Sequence, residues 1–167
     1  MHYRLRATGT TQLILILGAC MAIASCNKGA GDNVGNRIIA MERAALDRWG
    51  KGDVNGYLDL DSTDITYFDP ALEKRVDGLA AVKKYIAPFA GKIGISHYSM
   101  IDPKVQQYGD IAVLTYNLVD DVIRTPDGPV NITIRWNCTQ VYARIDGEWK
   151  IVHNHWSYTR PDLKKSE

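Results

Sequence analysis

This chain of 167 residues predicts an α+β domain, with helices packed against one face of a strongly curved, mainly antiparallel sheet. Two observations carry that reading. Helical periodicity is confined to the first half and strand-like runs to the second, so helices come early and strands late. The C-terminal part then holds two long apolar-rich runs, 131–145 and 148–158, flanking Asp146-Gly147. That dipeptide tolerates the positive φ of a tight hairpin turn. The runs are rich in β-branched and aromatic residues, as strands are. They carry Trp136, Trp149, Trp156, His153 and His155, the composition of a sheet that curls around something.

In chain order, the first element is a helix from residue 36, where Ile38, Met41, Ala45 and Trp49 recur at helical spacing with Glu42, Arg43, Asp47 and Arg48 interleaved. Gly50 and Gly52 end it, and Asp53 can cap a second, shorter helix through Leu60 whose apolar side includes Tyr57, Leu58 and Leu60. A short strand at 65–68 stops at Asp69-Pro70, and 75–78 reads as a turn. Residues 79–89 form a third helix, with Leu79, Val82, Tyr85, Ile86 and Phe89 on one face. Strands follow at 96–107, 111–124, 129–145 and 148–158, separated by Gly109-Asp110, Pro126-Asp127-Gly128 and Asp146-Gly147.

The amino terminus is a targeting signal in this reading. Arg4 and Arg6 precede an apolar run at 13–24, the length of a signal peptide's apolar segment and short of the ~20 residues of a membrane span. Ile23-Ala24-Ser25-Cys26 matches a bacterial lipobox, so residues 1–25 are expected to be removed and Cys26 lipidated. Such a protein is anchored to a membrane rather than spanning it. By resemblance to enterobacterial sorting rules, Asn27 rather than aspartate after the cysteine implies the outer membrane, facing the periplasm. Residues 26–35, with three glycines, form a flexible tether; the domain occupies 36–160 and a polar tail 161–167.

Composition narrows the function classes. Of 20 Lys+Arg and 19 Asp+Glu, processing removes Arg4 and Arg6 and no acid, leaving 18 against 19. No basic stripe is present, which argues against nucleic-acid binding. Cys138 stands alone within an apolar strand and reads as a small buried hydrophobe.

Alternation along the strands assigns faces. Ile134, Trp136, Cys138, Gln140 and Tyr142 share one side and should line the interior, whereas Thr133, Arg135, Asn137 and Thr139 share a more polar outer side. In the last strand, Val152, Asn154 and Trp156 form one set and Ile151, His153 and His155 the other; periodicity leaves open which faces inward.

Element order and several local strings resemble the nuclear transport factor 2-like superfamily, a cone-shaped α+β barrel. Within it, the chain is similar to SnoaL-like proteins and to the association domain of calcium/calmodulin-dependent protein kinase II. The strings are Trp49-Gly50-Lys51-Gly52-Asp53, Thr66-Tyr67-Phe68-Asp69-Pro70, Val76-Asp77-Gly78-Leu79, Thr139-Gln140-Val141-Tyr142, Asp146-Gly147-Glu148-Trp149 and Val152-His153-Asn154-His155-Trp156-Ser157. The resemblance implies pocket residues at Asp69, Tyr85, Gln140 and Trp156. Two of these positions are arginine in the kinase domain, but are Gln140 and Trp156 here, which makes this pocket more apolar and aromatic.

Asp69 is the candidate general base, because a carboxylate in an apolar pocket gains proton affinity. Tyr67 or Tyr85 can donate to a developing oxyanion, and Trp136 and Trp156 can stack on a flat ligand beside Gln140 and Asn154. Alternatively, Asp69 only caps the Asp-Pro turn and the tryptophans are core. His153 and His155 project from one face, yet two histidines are an incomplete coordination set, so no metal and no cofactor are expected. Three classes stay open: a binder of a small, largely apolar or aromatic molecule; a cofactor-independent isomerase, cyclase or dehydratase; and a homodimerising assembly module.

Overall fold

The long strands form because β-branched and aromatic residues alternate with polar ones between three two-residue turns. The computed structural model describes residues 28–159. The expected signal sequence, Cys26 and the tail at 161–167 lie outside the described residues. The order is α1 (Lys28–Trp49), α2 (Asn55–Leu58), β1 (Asp61–Phe68), β2 (Val76–Asp77), α3 (Leu79–Ile86), a 3-10 turn (Ala87–Phe89), β3 (Gly94–Tyr108), β4 (Ile111–Thr125), β5 (Gly128–Ile145) and β6 (Glu148–Tyr158). These strands make one curved, mixed sheet in the order β2-β1-β6-β5-β4-β3. Only β1 and β6 run parallel; the other neighbouring pairs are antiparallel. The strand order ends at β2 and β3, so backbone pairing does not close the sheet into a ring.

Several boundaries differ from expectation for physical reasons. α1 already runs at Lys28, through most of the expected tether. There Val34 packs partly against the core, and a Cβ on Gly35 would stand 3.7 Å from Val105 of β3, so packing recruits residues that periodicity leaves out. β1 begins at Asp61, because Ile151 N–H donates to Leu60 O (2.8 Å) and draws the chain alongside β6 before the apolar run starts. The expected turn at 75–78 contains β2, which pairs with β1 through Thr66 and Tyr67. β3 is broken between Ile101 and Lys104, where Pro103 cannot donate to the ladder and Asp102 adopts φ +48°.

Gly56 is fixed by close approach. A Cβ there would lie 2.8 Å from both Ala45 O and Arg48 Cβ, so only glycine lets α2 sit on α1. Arg48 adds ion pairs to Asp53 (2.7 Å) and Asp59 (2.8 Å), at either end of α2. Asp53 itself accepts the Asn55 N–H over 3.0 Å. The Asp146-Gly147 turn has φ +52° and +86°, the two-residue connection its sequence predicts.

The core lies between the helices and the concave side of the sheet. Cys138, Gln140 and Tyr142 are buried and Ile134 and Trp136 half-buried, as the alternation of β5 requires. β6 is different. Tyr142 pairs with Ile151 but Val141 pairs with His153, so Val152 is a bulge that shifts the alternation. Ile151 therefore points inward with Asn154 and Trp156, while His153 and His155 point outward. Neither sequence-derived set survives intact, because period-two counting presumes an unbroken ladder.

Candidate functional site

A cavity of about 110 Å³, measured as space open to the centres of water molecules, opens between the helices and the inner face of the sheet. Its apolar wall comes from Leu46 and Trp49 of α1, Tyr57 of α2, Val82 and Ile86 of α3 and Leu118 of β4. Trp136 of β5 and Trp156 of β6 line it as well. Their rings meet edge to face, 6.0 Å apart at 83°, and Tyr57 meets Trp156 at 5.9 Å and 88°. Edge-to-face pairs of this kind fix ring orientation. The tryptophans are thus both core and wall.

Three carboxylates stand in this wall: Asp61, Asp69 and Asp120. Asp69, just past β1, is well occupied. Its Oδ1 accepts the Tyr85 hydroxyl (3.1 Å) and the Ala71 N–H (2.9 Å), and its Oδ2 accepts the Tyr67 hydroxyl (3.4 Å). It therefore caps the Asp-Pro turn and faces the cavity at once. Burial first, and then the Asp69 charge, push the Tyr67 and Tyr85 hydroxyls above the usual phenol range.

Asp61 and Asp120 are poised differently. Asp61 is 6% exposed, and its Oδ1 has no hydrogen-bond partner. Burial, reinforced by the Glu42 charge and opposed by Lys150, pushes its carboxyl up to about 7. Asp120 is 5% exposed; Trp136 Nε1–H donates to Oδ2 over 2.9 Å, and Oδ1 is unpartnered. Burial raises its carboxyl to about 6 against the lowering effect of the Trp136 bond, with Asp121 adding to the rise. An unpartnered buried acceptor is costly, of order 1–3 kcal/mol, and carboxyls whose proton affinity is raised in a cleft cluster at functional sites.

Behind the cavity, Glu42 is fully buried. The Tyr57 and Tyr116 hydroxyls donate to its Oε1 (2.9 and 2.6 Å), and the Tyr142 hydroxyl donates to Oε2 (2.7 Å). Burial raises its carboxyl, and the three hydroxyls oppose that rise. The position corrects the sequence reading, which placed Glu42 among the interleaved polar residues of α1. It shares the inward face with Ile38, Ala45 and Leu46, and the tyrosines satisfy it there.

Of the residues singled out from sequence, Tyr67, Asp69, Trp136, Asn154 and Trp156 do line the cavity. Tyr85 and Gln140 stand one step back. Tyr85 reaches the site through Asp69, and Gln140 through a 3.3 Å bond from its Nε2 to Asn154 Oδ1. Asp61, Asp120, Trp49 and Tyr57 were missed. Asp120 had a signal, since it alternates with Leu114, Tyr116, Leu118 and Val122, all buried, along β4. Asp61 had none, because it falls before the recognised strand. His153 is tied on the outer face to Thr66 Oγ1 (2.8 Å), and burial with the neighbouring His155 lowers its imidazole. Among the described residues, no group of three or more His, Cys, Asp or Glu side chains is placed to hold a metal ion. Cys138 is buried, and its thiol is raised above the usual range, chiefly by burial.

Fold and site together define an α+β domain built around an aromatic pocket with buried carboxylates. The chain belongs to the SnoaL-like domain family, whose model matches residues 39–161. Among solved structures it is similar to a candidate ketosteroid isomerase from Parabacteroides distasonis, at 37% identity and TM-score 0.65, covering 81% of this chain and 95% of that one. It is also similar to the association domain of calcium/calmodulin-dependent protein kinase II from C. elegans, at 25% identity and TM-score 0.61, covering 77% and 98%. A candidate dehydratase of the nuclear transport factor 2-like family from Streptomyces avermitilis shares the fold at 19% identity and TM-score 0.62, covering 77% and 98%. No curated protein matches the chain.

Proposed function

We propose that this protein is a lipid-anchored, periplasm-facing domain that binds a small, largely apolar or aromatic molecule in the cavity. The observation that carries the reading is the pairing of an aromatic wall with two buried carboxylates, Asp61 and Asp120, that each leave one oxygen unpartnered. Buried carboxylates are costly in a packed core, and an apolar, aromatic wall with a few convergent polar groups is the usual make-up of a ligand site. The anchor rests on the lipobox ending at Cys26. Among the described residues no helix is long and apolar enough to cross a membrane. Native mass spectrometry of protein purified without denaturation tests the binding reading. A co-purified molecule of defined mass, lost on Trp156→Ala, is expected; a bare chain whose mass and stability are unchanged by aromatic ligands contradicts it. Metabolic labelling with a fatty acid tests the anchor, with incorporation abolished by Cys26→Ser as the expected result.

A second reading, cofactor-independent proton transfer in an isomerase, cyclase or dehydratase, is favoured by Asp61, whose carboxyl near 7 suits a general acid or base at neutral pH. The similar Parabacteroides protein, a candidate ketosteroid isomerase, is of this class. Asp69 remains the other base, with Tyr67 and Tyr85 already donating to it. Turnover lost in Asp61→Asn and kept in Asp69→Asn assigns the base to Asp61, and the reverse assigns it to Asp69. Homodimerisation is compatible with either reading, since Ile123 and Ile132 stand exposed on neighbouring strands. A strictly monomeric light-scattering profile counts against it.

A further inference from the structure

We propose that the ligand of this cavity is a small flat organic cation, an aromatic ring bearing a short ammonium arm. The inference rests on the binding reading above and adds the charge of the ligand to it. Asp61, Asp69 and Asp120 line the cavity, and none of the lining residues is lysine, arginine or histidine. Glu42 lies directly behind, bonded to the cavity-lining Tyr57. Above about pH 7, where Asp61 and Asp120 are ionised, the local field is negative. Lys150, the cation acting on Asp61, is not in the cavity wall and has its Nζ bound to Asp59 O at 2.8 Å.

The hydrogen-bond balance points the same way. Among the described residues, every buried side-chain polar atom without a partner is an acceptor: Asp61 Oδ1, Asp120 Oδ1 and Gln140 Oε1. Two of the three belong to carboxylates of the cavity wall that are more than nine-tenths buried. Those two oxygens are themselves covered, so it is the charge of the carboxylates rather than an open lone pair that acts on the cavity. An ammonium brings the positive charge that this wall lacks. Trp49, Trp136 and Trp156 supply aromatic surface, and indole is the strongest ring partner for a cation. The cavity, about 110 Å³, restricts the ligand to a small molecule.

Calorimetric titration of the purified protein at pH 8 with 2-phenylethylammonium, 2-phenylethanol and phenylacetate provides the test. These probes share a ring and differ in charge. The cation should bind at least about tenfold tighter than the alcohol, with no measurable binding of phenylacetate. In Asp61→Asn and Asp120→Asn that preference should shrink about tenfold while alcohol binding is kept, which shows that the cavity is still folded. Equal or tighter binding of the alcohol or the anion overturns the cation assignment and leaves the pocket standing. Binding of none of the three overturns the pocket reading and this inference with it.

Discussion

The Tyr116 hydroxyl donates to Glu42 Oε1 over 2.6 Å, joining the first helix to strand β4 across the core. Tyr57 and Tyr142 complete the shell around that carboxylate, so one acidic side chain ties together α1, α2, β4 and β5. A buried carboxylate without a cation is tolerable only when its lone pairs are filled, and here three hydroxyls fill them.

Truncating Glu42 should therefore be severe. Glu42→Ala strands three buried hydroxyls and opens a void, an expected cost of about 3–5 kcal/mol. Glu42→Gln keeps the volume and lets one hydroxyl accept instead, and should cost less than half as much. Urea denaturation of the two variants decides it, and a loss under about 1 kcal/mol for alanine contradicts the proposed role.

Asp61 makes stability depend on pH. Its folded-state carboxyl, about 7, lies above the ~3.9 of an unfolded chain, so the native state binds more protons between the two values. The contribution to stability is full below about pH 4 and is lost as pH rises to about 7. Asp61→Asn should raise stability at pH 8 by about 2–4 kcal/mol and flatten the profile between pH 4 and 7. Thermal melts across that range check this; an unchanged slope refutes the buried, raised carboxyl.

Trp136 holds Asp120 through its indole N–H, and that bond lowers the Asp120 carboxyl. Trp136→Phe removes the donor and keeps an aromatic ring. The Asp120 carboxyl should then titrate above its present value of about 6, read from its carbon chemical shift against pH. A fall or no change shows that the indole does not act on Asp120.

Gly56→Ala should destabilise the domain by about 2 kcal/mol or more, because the new methyl meets the Ala45 carbonyl and Arg48 Cβ at 2.8 Å. The same substitution at Gly109, where nothing lies within 4 Å, isolates the separate cost of its positive φ. Paired melts of the two variants separate crowding from backbone strain.

Much of the architecture was legible because long strands announce themselves. β6 has the bounds its composition predicts, and the interior face of β5 follows from alternation alone. What stayed hidden depends on contacts distant in sequence. β1 starts at Asp61 only because it pairs in parallel with β6, and no local pattern encodes a parallel partner. The Val152 bulge breaks the alternation that would otherwise have assigned the histidines. Glu42 was misread because a polar residue in an amphipathic helix is ordinarily solvated, and the tyrosines that make it an interior residue arrive from three other elements. Asp69 was legible by its Asp-Pro turn and the family resemblance, Asp120 only through its place in the buried alternation of β4, and Asp61 not at all.

The central claim, that the aromatic cavity holds a small molecule, is tested most directly by nitrogen-15 spectra recorded while small aromatic fragments are added. The indole N–H signals of Trp136 and Trp156 report from the cavity wall itself. The account predicts that both signals shift and saturate together with a single affinity, with the outer-face signals of Thr133 and Arg135 unmoved. Fragments that saturate the protein without moving either indole, or that move only the outer face, contradict it.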